Sequence, residues 1–348
     1  MTSTVVPRKT DADPTPEASG RRFTRGQDAS KSKTSRRPAL GDIGFFCGSL
    51  FNRRFPRTIW DSGYLFVNSL EQDMASPYTY RPNATAMIVG VGLMGQHLAN
   101  HIVEWLDLET LILADASPQI RVGTESVTLG DFAASVAERA NGSTRVVAET
   151  INITSEEEVS GLFQRHPKVD YLQHTAGISP KPLTPPEEMT KDDVMGACEV
   201  NLWGTHNVLK QGLNSGAFTR GARGVLLLST SATVGAEGRA SSAYEESKGG
   251  LLNLLKLQSR HFVEAHGLIL NGIAPSPLRG PMAAQNEISA GRLQAVEDAM
   301  PLGGLTEPKH ISAATMFFWA EECWTVGEIL TTDGGYTKHR PIYGPLLG

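Results

Sequence analysis

Cysteine is scarce in this chain of 348 residues: there are three, Cys47, Cys198 and Cys323. An odd number at wide separations makes neither a disulfide framework nor a zinc-binding spacing. A reducing compartment is therefore the expected setting, with a cytoplasmic location. Long apolar runs are also missing. None approaches the roughly 18 residues of a membrane-spanning helix, so no membrane partner is expected. The first 40 residues lack the apolar stretch of a secretory signal. Positive charge is short outside the first part of the chain. Residues 1–58 hold twelve Lys or Arg against five Asp or Glu, whereas the remainder holds 20 against 32. An acidic body is a poor binder of nucleic acid.

The opening 40 residues are rich in Ser, Thr, Pro, Arg and Lys and almost free of large apolar side chains. Such a composition cannot repay the entropy of ordering, and disorder is expected. The aromatic stretches "GFFCGSLFNRRFP" and "IWDSGYLFVNSL" show no assignable period. Residues 1–84 are thus read as an N-terminal extension, largely disordered. A basic, Ser-rich start also fits a mitochondrial presequence, though Asp11, Asp13 and Glu17 argue against one. Met74 is an alternative candidate for the start of translation.

From residue 85 the pattern changes. Apolar runs at 86–90, 111–115, 145–150, 169–177, 224–231, 268–274 and 327–335 alternate with helix-length segments, among them 94–106, 191–213, 244–265 and 309–320. Near-continuous apolar runs fit strands buried on both faces. The alternation predicts an α/β fold: a three-layer, doubly wound parallel sheet of about seven strands, Rossmann-type, over residues 85–348. Residues 279–301, bounded by Gly and Pro, read as a small lid.

In "MIVGVGLMGQHLANHIVEWL", Gly90, Gly92 and Gly95 stand between a strand and a helix. The first permits a tight turn, the second lets a pyrophosphate approach the backbone, and the third permits close helix–strand packing. The helix start, through Leu93, Met94 and Gly95, supplies N–H donors and the positive end of the helix dipole. The next strand ends in Asp115, whose carboxylate suits the hydroxyls of an adenosine ribose and repels a 2′-phosphate. NAD is therefore the expected cofactor, with NADP less favoured.

Tyr244 and Lys248 lie four apart, on one face of a helix. A phenol with a pKa near 10 is a poor base at neutral pH. A neighbouring ammonium favours the phenolate, so Lys248 is expected to lower that pKa. Ser231, thirteen residues before Tyr244, ends a strand at the edge where ligands bind parallel sheets. Asn201 interrupts an otherwise apolar helical stretch, an unfavourable place for Asn unless it has a polar task. His174 reads as a buried core residue. His97 and His101 have no evident third ligand, and no metal is expected.

Together these residues resemble the short, single-domain branch of the short-chain dehydrogenase/reductase family, over roughly residues 85–336. The resemblance implies a catalytic tetrad of Asn201, Ser231, Tyr244 and Lys248. It implies that Ser231 binds the substrate oxygen, that Tyr244 exchanges its proton, that Lys248 holds the nicotinamide ribose, and that Asn201 holds a water linking Lys248 to solvent. It extends the cofactor site to Asn152, Ile153, Thr175, Ala176, Gly177, Pro275, Ser276 and Leu278. This chain departs from the family pattern at "VGVGLMG", at "HTAG" (174–177), at Asn152 in place of Asp, at Pro275-Ser276 in place of Pro-Gly, and at Gly280 in place of Thr.

The expected activity is reversible oxidation of a neutral secondary alcohol to a ketone, because the pocket rims 178–189 and 232–243 carry few charges. Alternatives are a non-catalytic NAD-binding sensor and a sugar-nucleotide epimerase or dehydratase. The latter relatives carry a larger C-terminal region, and only about 100 residues follow Lys248. The resemblance also implies a homodimer or homotetramer built on helices 191–213 and 244–265. There Val194, Leu202, Val208, Leu209, Leu251, Leu254, Leu255 and Phe262 offer apolar surface. A chain starting at Met74 should fold and keep full activity, as circular dichroism and turnover would show; aggregation of that shorter chain would assign residues 1–73 a structural part.

Overall fold

The unbroken run of small and apolar residues in Ala84–Val89 forms strand β1, with every residue buried. In a computed structural model of the protein this strand lies inside the sheet, with a neighbouring strand on each side. The structure describes residues 77–140, 144–179, 184, 186–233, 242–278, 287–298 and 300–338. The expectations for residues 1–76, for 234–241 and for 279–286 lie outside the described residues. The chain divides into Met1–Asp73 and Met74–Gly348, and the described residues belong to the second unit.

After β1 come α1 (Leu93–Trp105), β2 (Leu108–Asp115), β3 (Gln119–Val122), β4 (Glu125–Thr128), α2 (Leu129–Arg139), β5 (Arg145–Thr150), α3 (Glu156–Arg165) and β6 (Val169–His174). The second half holds α4 (Lys191–Cys198), α5 (Thr205–Ser215), β7 (Phe218–Leu227), α6 (Ser242–His261), β8 (Ile269–Pro275), α7 (Glu287–Asp298), α8 (Pro308–Trp319) and β9 (Ile329–Thr332). Seven strands make one parallel sheet in the order β5-β2-β1-β6-β7-β8-β9. Successive residues of a strand point to opposite faces. Ala86 and Ile88 accordingly join the core under α1, α2 and α8, while Met87 and Val89 join the core under α3, α5 and α6. This is the three-layer doubly wound sheet that the alternation of apolar runs predicts.

Two features were not anticipated. Strands β3 and β4 pair as an antiparallel hairpin inserted after β2. Gln96 Nε2 ties it to the glycine turn, donating to the carbonyls of Val91 at 2.8 Å and Arg121 at 2.9 Å. The segment read as one helix over 191–213 contains a wide turn, Glu199–Gly204, between α4 and α5. Such π-type turns bulge one residue out of the helical ladder.

The apolar surface expected to bind a second copy is largely consumed within the subunit. Val208, Leu209, Leu251, Leu255 and Phe262 are buried, and Leu202, Leu254 and Val200 pack against the same core. Exposed apolar side chains on these helices are instead Met195 and Leu257.

The base of the sheet is tied by Asp170, buried on β6. It accepts hydrogen bonds from the Thr85 N–H at 2.9 Å, Arg81 Nη1 at 3.0 Å and Thr219 Oγ1 at 2.7 Å. Burial pushes its pKa up, but the bonds from Thr219, Thr85 and Arg81 outweigh this and hold it below the ordinary value. A depressed folded pKa stabilises above the unfolded value and is lost as pH falls through the folded one. Asp170→Ala should therefore cost about 3 kcal/mol at neutral pH. Acid denaturation curves should show the difference from wild type shrinking below about pH 4.

Candidate active site

The glycine turn has the geometry its sequence implies. Gly90 has φ +94°, and a side chain there would strike the Ala176 backbone N at 2.4 Å. A Cβ on Gly95 would lie 2.1 Å from the Gly90 carbonyl oxygen, so α1 packs on the turn only because that atom is absent. A Cβ on Gly92, by contrast, would meet no atom within 4 Å among the described residues apart from its chain neighbours. The N-terminus of α1 has no side-chain cap and no acidic residue in its first turn. Its N–H groups and dipole therefore face an open cradle suited to a pyrophosphate. Leu93, Met94 and Gly95 form this first turn, and Leu93 is exposed.

Asp115 stands beside it at the end of β2. Its carboxylate accepts from the Val91 N–H at 2.7 Å and the Ser117 N–H at 2.9 Å. Each oxygen keeps a lone pair for a ribose hydroxyl. From β6, Thr175 Oγ1 donates to the Gly90 carbonyl at 2.5 Å, and the Ala176 N–H donates to Val89. These contacts clamp the ends of β1 and β6 together. The cradle, the uncapped helix and the carboxylate fit a dinucleotide.

The four residues singled out for proton chemistry meet at the ends of β6 and β7. A Cβ on Gly177 would lie 3.1 Å from Asn201 Oδ1 and 3.4 Å from Lys248 Nζ, so both side chains converge there. Asn201 sits in the wide turn, fully buried. Its Oδ1 accepts from the Ile178 N–H at 2.7 Å; its Nδ2 donates to the Ile178 carbonyl at 2.8 Å and to Ser247 Oγ at 2.9 Å. Lys248 Nζ donates to the Leu227 carbonyl at 2.7 Å and lies 5.8 Å from the Tyr244 ring centre. Ser229 neighbours Tyr244 and draws its phenol pKa down against the effect of burial. Ser229 Oγ in turn lies 2.8 Å from Ser231 Oγ.

Burial dominates the electrostatics. It lowers the Lys248 pKa to about 8. It raises that of Tyr244 above the ordinary phenol value, opposed by Ser229. The expected lowering by Lys248 is therefore not met in the protein alone: the amine is turned to Leu227. Burial, and then the charge of Lys248, lower His174 to about 3, so it stays neutral. Its Nε2 has no hydrogen-bond partner among the described residues.

Not every expected cofactor residue turns its side chain to the cradle. Asn152 Oδ1 closes a local turn, accepting from Thr154 N–H and Oγ1, each at 3.0 Å. Ile153 is buried against Gly204. Ser276, next to Pro275 at the end of β8, is buried with its Oγ 2.7 Å from Thr306 Oγ1, and Leu278 pairs with Thr306 in a parallel bridge. Asn152 and Ser276 are polar residues satisfied within the protein. Ser229 escaped the sequence reading. The signal was present in "LLLSTS": in extended backbone, residues two apart share a face.

Known proteins share parts of this sequence and this fold. A family model described as enoyl-(acyl carrier protein) reductase matches residues 125–337. Short-chain dehydrogenase reductase 3b of Arabidopsis thaliana is 26% identical over 198 residues, covering 55% of this chain and 76% of that protein. L-fucose dehydrogenase of Bos taurus is 28% identical over 193 residues, 53% of this chain and 69% of that one. Among solved structures, levodione reductase superposes with a TM-score of 0.64 at 20% identity, over 74% of this chain and 99% of that one. A glucose/ribitol dehydrogenase-type structure from Brucella melitensis gives 0.61 at 24%, over 75% and 99%. At such identities these two structures speak for the fold alone.

Asn201→Ala would leave the Ile178 N–H and carbonyl and Ser247 without their partner in a buried place. It should cost about 3 kcal/mol of stability, readable in urea unfolding, alongside any loss of turnover.

Proposed function

Because the chain belongs to the short-chain dehydrogenase/reductase family, we propose that it interconverts a neutral secondary alcohol and a ketone with NAD. That it is an oxidoreductase of the NAD(P)-dependent kind follows from the family; the substrate class, the preferred nucleotide and the residue roles are the proposal. The observation that carries it is the convergence of one phenol, two serine hydroxyls and one buried amine at the sheet edge that also holds the glycine cradle.

When bound, the nicotinamide supplies or accepts the hydride. Gly90, Gly92, Leu93, Met94 and Gly95 would hold its pyrophosphate, and Asp115 its adenosine ribose. Tyr244 takes the proton of the alcohol on oxidation and returns it on reduction. Ser231 donates to the substrate oxygen. Lys248, whose Nζ converges on Gly177, would hold the nicotinamide ribose. Asn201 fixes the Ile178 backbone and so the strand end that carries Thr175, Ala176 and Gly177. A neutral substrate is supported by the few charges in the pocket rims 178–189 and 232–243. Subunits pair as dimers or tetramers, and the compartment is cytoplasmic.

Incubation with NAD+ and a panel of linear and cyclic secondary alcohols should produce NADH absorbance. Tyr244→Phe should lower turnover by at least about a hundredfold with nucleotide affinity unchanged; turnover surviving that change would remove Tyr244 from the chemistry. Asp115→Ala should weaken the preference for NAD over NADP, read as the ratio of kcat/KM values. A wild type that already prefers NADP would overturn the role given to Asp115.

A further inference from the structure

Ser247 has no part in the tetrad the resemblance implies, yet it is fully buried and bonded to both the Asn201 side chain and the Tyr244 backbone. We propose that Ser247 is a positioning residue of the reaction: its hydroxyl couples the side-chain amide of Asn201 to the first turn of α6, and so holds Tyr244 and Lys248 at a fixed height over the strand end at Gly177. The inference rests on the alcohol–ketone reading above.

The line of contacts is continuous. Asn201 Oδ1 accepts the Ile178 N–H at 2.7 Å and Nδ2 donates to the Ile178 carbonyl at 2.8 Å, so the amide is locked to the backbone just past Gly177. Nδ2 also donates to Ser247 Oγ at 2.9 Å. Ser247 Oγ donates in turn to the Tyr244 carbonyl at 2.7 Å, three residues back along α6. Thr205 Oγ1 donates to the Asn201 carbonyl at 2.7 Å and steadies the residue from its own side. Ile178, Asn201, Ser247 and Tyr244 thus form one hydrogen-bonded series from the strand end to the helix.

A count of hydrogens shows what Ser247 does. Its hydroxyl has one hydrogen, committed to the Tyr244 carbonyl, so towards Asn201 it accepts. That requires the amide nitrogen of Asn201 to face α6, in agreement with the Ile178 carbonyl. Both Nδ2 hydrogens are then used, and the spare group of Asn201 is a lone pair on Oδ1. Oδ1 lies beside Gly177, where a Cβ would stand 3.1 Å from it and 3.4 Å from Lys248 Nζ. Ser247 therefore keeps the acceptor of Asn201 on the side that the amine also faces.

Packing brings the two elements close enough for this. Gly250, one turn after Ser247 on the same face of α6, leaves room for the wide turn: a Cβ there would lie 2.9 Å from Leu202 Cδ2. Asn201 and Leu202, neighbours in the turn Glu199–Gly204, therefore meet Ser247 and Gly250 on successive turns of the helix. With alanine at position 247, one Nδ2 hydrogen would lose its acceptor in a buried place, and the seam would keep its packing but lose the link that sets the amide.

Two measurements on Ser247→Ala test this. Without substrate, hydrogen exchange of the Ile178 N–H, followed by NMR, should quicken about tenfold, because the amide that accepts it is no longer held. In alcohol oxidation kcat should fall about tenfold, with NAD affinity by fluorescence titration as in wild type. Ser259→Ala, which removes another buried hydroxyl further along α6, should change neither the exchange at Ile178 nor kcat, and so separates positioning from loss of stability. In an Asn201→Ala background, the further change Ser247→Ala should cost less than about twofold in kcat, since the two residues act as one unit. Unchanged exchange at Ile178 in Ser247→Ala would overturn the proposal. So would an unchanged kcat, an equal fall in Ser259→Ala, or losses that multiply in the double variant. Should Ser247→Ala not fold, Ser247→Cys takes its place with the same outcomes, being close in volume and weak in hydrogen bonding. If wild type turns over no alcohol, the reading of the reaction fails instead, and exchange at Ile178 still decides whether Ser247 holds the amide.

Discussion

The contact between Gly95 and the Gly90 carbonyl governs the rest of the site. Helix α1 can start where it does only because no atom stands between them. That start fixes where the N–H groups of α1 point, and the Gly90 turn in turn sets the height of Ala176 and Thr175 against β1. Thr175 and Ala176 lead to Gly177, where Asn201 and Lys248 meet. One close approach of backbone to backbone thereby places the glycine turn and the Asn201–Lys248 pair on a single frame. A frame of this kind suits a reaction in which two partners must be held at fixed distance.

Much of the fold was legible because parallel strands buried on both faces announce themselves as apolar runs. β1, β2, β6, β7 and β8 were found this way, whereas their order in the sheet was not. The hairpin β3–β4 was not legible. Its strands have four residues each, and apart from the buried Ile120 they show little apolar alternation. The wide turn at Asn201 was equally hidden: an extra residue advances the helical phase by about 100°, but the short helices on either side carry too few apolar residues to show the step. Only the misplaced Asn pointed to it.

Site residues divide along the same line. Tyr244, Lys248 and Ser231 were recognisable by spacing, because helix and strand periods are fixed by geometry. Asn152 and Ser276 were assigned by position, and their side chains turned out to be satisfied locally. A short polar side chain bonds whatever backbone or hydroxyl lies nearest, which the sequence alone does not disclose. The amine of Lys248 illustrates the complementary difficulty. Its place on the helix could be read, but its bond to Leu227 depends on a strand contributed from elsewhere in the chain.

The strand order carries a consequence for how the chain is made. β1 lies between β2, its immediate successor, and β6, which is some 85 residues downstream in the pairing of Ala86 with Tyr171. During synthesis the β5-β2-β1 half can associate early, yet it exposes the β6-facing edge of β1 until Val169–His174 leaves the ribosome. Closure of that edge is a long-range event, and sheets of this kind fold slowly with sticky intermediates. Asp170 stands at that seam. Its bonds to Thr85 and Arg81 on one side and Thr219 on the other can all be made only once β1, β6 and β7 lie side by side.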